Sequence, residues 1–471
     1  MSPVSVNAVG RPRVGLLLTG HKVYWSQFPD LKMMGSRMTE RLLAHLEKAG
    51  EVFSIGLVDS IELSREAGEH FRDSDIDILV IFPLGYTTGM MIAPAVKDLE
   101  VPIRILNAHE DSSYDYASSD TATYLHHEGP CCVPEYSVTL ATLGKTFKVI
   151  SGHFAMPSMW QELEREARGA AAARAFRELN FGVLGATYTN MTDMPIDEHR
   201  LLAATGKMLL RPEIEEVEEA YRRVTDGQLE DMYRQFRDFY EVDDSVTNDH
   251  LQQSARIAVA FDEVIRKHDI GAFGYYWWGE KESVTQLRSE SALAVSRLAA
   301  LGMPGVTEGD VKTAMAMKIL DLLGGGGMFL EFFSMDFDEN FIMMGHDGPS
   351  NIKLAKGKPK LQHLEVHHGK TGHGIGIDFV MGKGPCTLLN LSQAAGEGTF
   401  KLIYSVAEII DGPTLSIGNP NCRVRVAKPI PVFFNDWCQQ YPSHHVALGR
   451  GDFSSEIEVF AEKMRFSCVR I

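Results

Sequence analysis

The sequence predicts an α/β protein. Two Rossmann-like parallel-sheet domains are expected over residues 1–172 and 173–326, followed by a C-terminal antiparallel β-barrel-like domain over 327–471. Three observations predict this. Short apolar runs alternate with segments of helical spacing through the first third of the chain. The alternation restarts at residue 181 after a long stretch rich in Ala, Glu and Arg, and beyond the tetraglycine at 324–327 it gives way to β-branched and apolar runs joined by glycine-rich connectors. At 471 residues the chain is long enough for two or three domains, and its 44% hydrophobic content is sufficient for their cores.

Taken in order, residues 14–18 read as a short strand, 33–49 as a helix, 52–58 as a second strand, and 76–82, after Asp73-Ser74-Asp75, as a strongly apolar third. Strands separated by helices imply right-handed crossovers and a parallel sheet, and open sheets of this kind bind ligands beyond the strand C-termini. His21, Lys22 and Tyr24 fall on that rim, as do Tyr86-Thr87-Thr88 and, after a strand at 103–106, His109-Glu110. A long helix is expected at 162–179, a strand at 181–185, a solvated helix face at 213–223 and a further helix at 248–268. Tyr275, Tyr276, Trp277 and Trp278 either pack in a core or offer flat faces to a ligand. Strands at 364–367, 387–392, 400–410 and 422–426 build the last domain, and a helix at 456–464 closes the chain.

A net charge of -17, with no basic run, argues against a nucleic-acid surface. The apolar stretch at 14–18 is far shorter than the core of a signal peptide, and no other run approaches membrane-spanning length, so a cytoplasmic protein without a membrane partner is expected. The six cysteines show neither zinc-finger spacing nor a dense disulfide framework. Vicinal Cys131-Cys132 reads either as a redox pair or, more simply, as two small residues in a loop.

Four residues in the last third stand out: Glu308, Glu331, His346 and His445. Taken singly, each has an ordinary reading as a solvated Glu or a hydrogen-bonded His. Context raises the case for a site. Glu331 lies between Met328-Phe329-Leu330 and Phe332-Phe333, where an ionised carboxylate is costly unless paired or bound to metal. Glu308 follows Gly and Pro at a junction between helices ending near Leu301 and starting near Asp310, where a side chain can project into a cleft. Two carboxylates and two imidazoles suit a hard or borderline divalent ion such as Mn²⁺, with two octahedral positions left open.

Ser291-Ala292-Leu293-Ala294-Val295-Ser296-Arg297-Leu298, followed by Thr307-Glu308-Gly309-Asp310-Val311-Lys312-Thr313-Ala314, resembles the L-arabinose isomerase family of the arabinose/fucose isomerase superfamily. The resemblance extends to Leu18-Thr19-Gly20-His21-Lys22-Val23-Tyr24, to Val149-Ile150-Ser151-Gly152-His153-Phe154 and to Asn190-Met191. It implies a metal-dependent aldose-ketose isomerase, with Mn²⁺ or another divalent ion on Glu308, Glu331, His346 and His445, and with Glu308 and Glu331 as the proton-transfer pair. It further implies substrate contacts from His21, Lys22, Tyr24, Met191 and His444, a cis-enediol route rivalled by a hydride shift, and a homo-oligomer, a hexamer, whose active sites form between subunits.

The chain departs from the family pattern where sugar contacts are expected: His21-Lys22 replaces Gln-His, Val311 replaces Trp, and residues 126–136 diverge. The substrate is therefore expected to be L-arabinose-like or a divergent hexose such as sulfoquinovose, whose anionic group Lys22 would pair. L-fucose and D-galactose remain candidates. The reading from another class is a non-catalytic cytoplasmic sugar-binding sensor, which would have no need for two carboxylates and two histidines.

Overall fold

The computed structural model describes residues 9–277, 282–363, 374–393 and 398–471. Trp278 and the strand expected at 364–367 lie outside them. The described residues form two compact units.

The first unit comprises Val9–Arg174 and Ser455–Lys463. Its strands are β1 (Arg13–Thr19), β2 (Glu51–Phe53), β3 (Leu57–Val58), β4 (Ile78–Pro83), β5 (Ile103–His109) and β6 (Phe147–His153), all parallel, in the order β2-β1-β4-β5-β6 with β3 also on β1. The single strand expected at 52–58 is split because Gly56 adopts φ +87°, a left-handed conformation that breaks the extended run. Alternation divides the central strands between two cores. Leu16, Leu18, Val80 and Phe82 face Leu42 and Leu163, while Leu17, Leu79 and Ile81 face Phe71 and Tyr136. Burial on both faces is what a parallel sheet with helices on either side requires.

Part of the helix Ser454–Met464 is built into this unit by charge. Glu456 accepts from Arg165 Nε (3.0 Å) and Arg168 Nη2 (2.8 Å), and Lys463 Nζ donates to buried Asp77 (2.6 Å). The helix does not close the chain, as the sequence reading had it, because a short strand follows.

The second unit comprises Ala175–Ser454 and Met464–Ile471. A small parallel sheet of β7 (Asn180–Gly185), β9 (Ile270–Tyr276) and β10 (Gly305–Val306) runs in the order β10-β9-β7; β8 (Glu241–Val242) belongs elsewhere. The antiparallel strands β11 (Met328–Asp336) and β12 (Phe341–Gly345) follow, then β13 (Lys360–His363) and β14 (Ile375–Asp378), which form a separate sheet with β8. Next come β15 (Gly384–Ser392), β16 (Lys401–Ile410), β17 (Asn421–Val426), β18 (His445–Arg450) and the terminal β19 (Ser467–Arg470). The order β15-β18-β11-β12-β17-β16 closes through a β15–β16 pairing into a six-stranded barrel, with β19 parallel to β16.

The helix Val311–Leu322 touches β9 on one side and β15 and β18 on the other. Being covered on both sides, it is mostly apolar, the exceptions being Lys312, Thr313, Lys318 and Asp321. It leads to the barrel through the tetraglycine, where Gly324 (φ +92°) and Gly326 (φ +64°) take left-handed conformations and a Cβ on Gly327 would lie 2.6 Å from Met317 Cα.

Candidate metal centre

One end of the barrel gathers three of the four ligand candidates. β11 pairs antiparallel with β18, setting Glu331 directly opposite His445, and on its other side with β12, setting Glu331 opposite Gly345, the residue before His346. Register therefore places the carboxylate between the two imidazoles, and a one-residue slip would turn it to the other face. Glu308 arrives from the parallel sheet, on the 3-10 turn Thr307–Gly309 that follows β10. The turn is held in an unusual conformation. Glu308 has φ 63° and Gly309 φ 72°, and a Cβ on Gly309 would come within 2.3 Å of the Ala186 carbonyl oxygen. A left-handed non-glycine residue costs on the order of 1 kcal/mol, and the fold spends it where Glu308 is aimed at the histidines.

His346 Nε2 and His445 Nε2 are 3.2 Å apart. The other nitrogen of each ring is engaged: His346 Nδ1 donates to the Asp347 carbonyl (2.6 Å) and His445 Nδ1 to Asp310 Oδ2 (3.0 Å). Rings so held turn their Nε2 atoms toward each other, an arrangement that a cation between them relieves. Glu308 Oε2 lies 3.5 Å from His445 Nε2 and is buried without a hydrogen-bond partner among the described residues. Ligand atoms of Glu331, His346 and His445 all lie within 4.8 Å of one another, as do those of Glu308, His444 and His445. The residues fit a divalent ion of hard or borderline character, because an orphaned carboxylate oxygen and two convergent ring nitrogens are the donors such an ion satisfies.

The electrostatics follow from burial. Desolvation raises the Glu308 carboxyl, with Glu331 and Asp310 adding to the effect and His445 and His444 opposing it. Desolvation also holds the His346 imidazole well below its ordinary value, so the ring is neutral and its Nε2 is available for coordination. Phe329 keeps both rings in an apolar setting, with centroids 4.1 Å from His346 and 4.5 Å from His445. Burial alone would raise the Asp310 carboxyl, but hydrogen bonds from His445 and Thr313 and the nearby Lys312 ammonium leave it lowered, hence ionised. Asp310 thus orients His445 and strengthens it as a donor. Asp310→Asn is expected to weaken divalent-metal binding roughly ten- to a hundredfold, read by competition titration with a chelating dye. Unchanged affinity would refute this role.

A second pair adjoins the cluster. Asp193, on the loop after β7, accepts from the His444 backbone N–H and from His444 Nδ1, both at 2.7 Å. The hydrogen bond to Asp193 raises the His444 imidazole, and the same contact holds the Asp193 carboxyl below the usual range. The loop is tied down by Lys312, whose buried ammonium donates to the carbonyls of Asp193 (2.5 Å) and Pro195 (3.0 Å). Sequence reading missed Asp193, Lys312 and the role of Asp310. Only Asp310 had a local signal, as the N-cap before the helix Val311–Leu322, where it accepts from the Thr313 backbone at 3.3 Å.

The remaining candidates fall as follows. Met191 lies half-buried on the same loop as Asp193. His21, Lys22 and Tyr24 belong to the first unit, at the C-terminal end of β1, where His21 and Tyr24 contact Tyr86 with ring centroids 6.3 and 6.2 Å away. His109 ends β5 on the same edge and sits 3.3 Å from His127, Nδ1 to Nδ1. Of the aromatic group, Tyr275 and Trp277 pack against Phe261 in the core. All six cysteines are free, and Cys131-Cys132 lies in the helix Gly129–Thr142 and not in a loop. Burial pushes the Cys132 thiol up to about 12, which leaves it unreactive.

A small parallel α/β sheet joined to a closed barrel, with carboxylates and imidazoles at the barrel end, defines the class as an α/β–barrel protein with a candidate metal centre. Residues 205–326 match the family model of the L-arabinose isomerase central domain. Similar proteins include the L-arabinose isomerases of Shewanella sp. (strain MR-4), 22% identical over 80% of this chain and 77% of that protein, and of Clavibacter sepedonicus, 21% identical over 91% and 88%. That of Geobacillus thermodenitrificans (strain NG80-2) is 22% identical over 72% and 69%. The chain is thus similar to L-arabinose isomerases over most of its length, at low identity.

Proposed function

We propose that the chain is a metal-dependent aldose-ketose isomerase. The observation that supports this reading is the gathering of ligand atoms in two groups that share His445, Glu331 with His346 and Glu308 with His444, with the buried Glu308 Oε2 left without a hydrogen-bond partner among the described residues. Moving a carbonyl from C1 to C2 requires one proton to leave C2, one to reach C1 and one to pass between the two oxygens. Glu308 and Glu331 carry these transfers as base and acid through a cis-enediol. The raised Glu308 carboxyl is able to hold a proton nearer neutrality than an ordinary glutamate. Glu308, Glu331, His346 and His445 would hold Mn²⁺ or another divalent ion, which would supply a Lewis acid for the charge that develops on the sugar oxygens. Met191 and His444 orient the sugar, and His21, Lys22 and Tyr24 take part in its recognition. The assembly that accompanies this reading is a cytoplasmic homohexamer.

The test is a turnover screen of Mn²⁺-loaded protein against neutral and anionic aldoses, scored by ketose formation. Binding without turnover across the panel would favour the sensor reading instead.

The substrate within this reading is an L-arabinose-like aldose or an anionic hexose such as sulfoquinovose. Lys22 is exposed on the short 3-10 helix after β1, with its ammonium at the sheet's C-terminal edge. If it pairs with an anionic group, Lys22→Met is expected to lower kcat/KM roughly ten- to a hundredfold for the charged sugar and little for a neutral one. Equal losses on both would exclude charge recognition by Lys22.

A further inference from the structure

Lys312 is an expensive residue to keep where it is. Its side chain is almost wholly buried, on a mostly apolar helix, and burial lowers its ammonium from the ordinary value. It makes no carboxylate ion pair within 4 Å among the described residues; Asp310 and Asp193 act on it only through space. Its donors go instead to two main-chain carbonyls, those of Asp193 and Pro195, on the loop that follows β7. Apolar packing would hold the helix equally well, so the charge is retained for what it fixes.

What it fixes is the Asp193 carboxylate. With the main chain clamped at 193 and 195, the carboxylate takes both the backbone N–H and Nδ1 of His444 at 2.7 Å, which sets the rotation of the imidazole. One ring nitrogen of His444 then falls within 4.8 Å of the ligand atoms of Glu308 and His445. The same loop, with Lys312 and Ser443, lines a cleft of about 360 Å³ that also includes Thr192, Asp197 and Gln393.

We infer that Lys312 is a positioning residue: through the loop carbonyls and Asp193 it holds His444 in the orientation needed beside the metal ligands. The inference rests on the proposed isomerase reading for its kinetic consequence but not for its structural one. Asp193 bonds His444 and not Glu331, His346 or His445 among the described residues, so Asp193→Asn separates His444 placement from metal binding, whereas Lys312 also supports Asp310 behind His445.

The experiment compares Lys312→Met, Asp193→Asn and the double variant for kcat, KM, Mn²⁺ affinity and thermal midpoint, with a crystal structure of Asp193→Asn. Asp193 is partly exposed, so its amide variant keeps the fold even where Lys312→Met loses stability. Each single variant is expected to lower kcat roughly ten- to a hundredfold, as a displacement of about 1 Å does for an oriented group. Mn²⁺ affinity of Asp193→Asn should stay within about threefold of the parent, and the double variant should lose no more kcat than the worse single, because both act on one group. The crystal structure should show the His444 ring rotated away from its present position. Losses of kcat that multiply in the double variant, or metal affinity that falls in step with kcat in Asp193→Asn, would overturn the inference, as would a His444 ring unmoved in Asp193→Asn. If the parent turns over no aldose, the isomerase reading fails while the ring position still tests this one.

Discussion

On the proposed reading, His445→Ala is expected to eliminate metal binding and to reduce turnover by on the order of a thousandfold or more, since a Lewis acid held there would be worth several kcal/mol of transition-state stabilisation. The His445 side chain is fully buried, faces Glu331 across the β11–β18 pairing and is the residue common to both three-ligand groups. Its loss also removes the hydrogen bond to buried Asp310, leaving an ionised carboxylate supported by Thr313 and by Lys312 at a distance. Breaking such a buried pair costs about 3–5 kcal/mol, so this variant is expected to lose stability as well as metal. Glu308→Gln separates the two effects. It keeps the size of the side chain while removing a desolvated charge, so the metal-free variant should be at least as stable as the metal-free parent and still inactive. Metal content, Mn²⁺ titration and turnover before and after chelation are the measurements. Full activity in a thoroughly demetallated parent would sink the metal centre.

The second large effect concerns folding of the first unit. Asp77 is completely buried and accepts from the Arg13 backbone N–H (3.0 Å), Arg174 Nε (2.9 Å) and Nη2 (3.1 Å), and Lys463 Nζ (2.6 Å). Asp77→Asn removes the charge that these cations surround and turns an amide N–H₂ toward donors. A loss of about 3–5 kcal/mol is expected, roughly 10 °C in Tm for a unit of this size. The pH dependence has a definite sign. Burial would raise the Asp77 carboxyl, but Arg174 and Lys463 outweigh it and leave it lowered. The unfolded chain therefore binds the proton more readily, and the stabilisation is present above the unfolded carboxylate value of about 4 and fades as pH falls through the lower folded value. Urea midpoints of parent and variant should differ widely at pH 7 and converge in acid. A gap of equal size at both pH values would show that the charge is not what Asp77 contributes.

Two of the four ligand candidates were legible because each disturbs its surroundings. Glu331 interrupts an apolar run and Glu308 sits at a Gly- and Pro-marked junction, so a carboxylate in either place calls for a partner. Resemblance then joined them, as it joined His346 and His445. Asp193 carried no comparable mark. It lies 251 residues from His444, on a polar loop where an aspartate is unremarkable, and its importance exists only once the loop after β7 meets the segment before β18. Lys312 was hidden for the opposite reason, since a lysine near a helix start reads as solvated until both flanks of that helix prove covered.

By itself the sequence determined the local alternation of strands and helices, the switch to antiparallel strands after the tetraglycine, and the residue types able to hold a divalent ion. These follow from side-chain periodicity and turn chemistry, which act over a few residues. Tertiary structure alone decided the closure of the barrel through β15 and β16, the register that sets Glu331 opposite His445, the incorporation of residues 455–463 into the first unit, and the clamp of Lys312, Asp193 and His444. Each of these depends on contacts between residues distant in the chain, whose hydrogen bonds and buried charges are satisfied only when the elements have packed, and no local pattern encodes which distant partner will satisfy them.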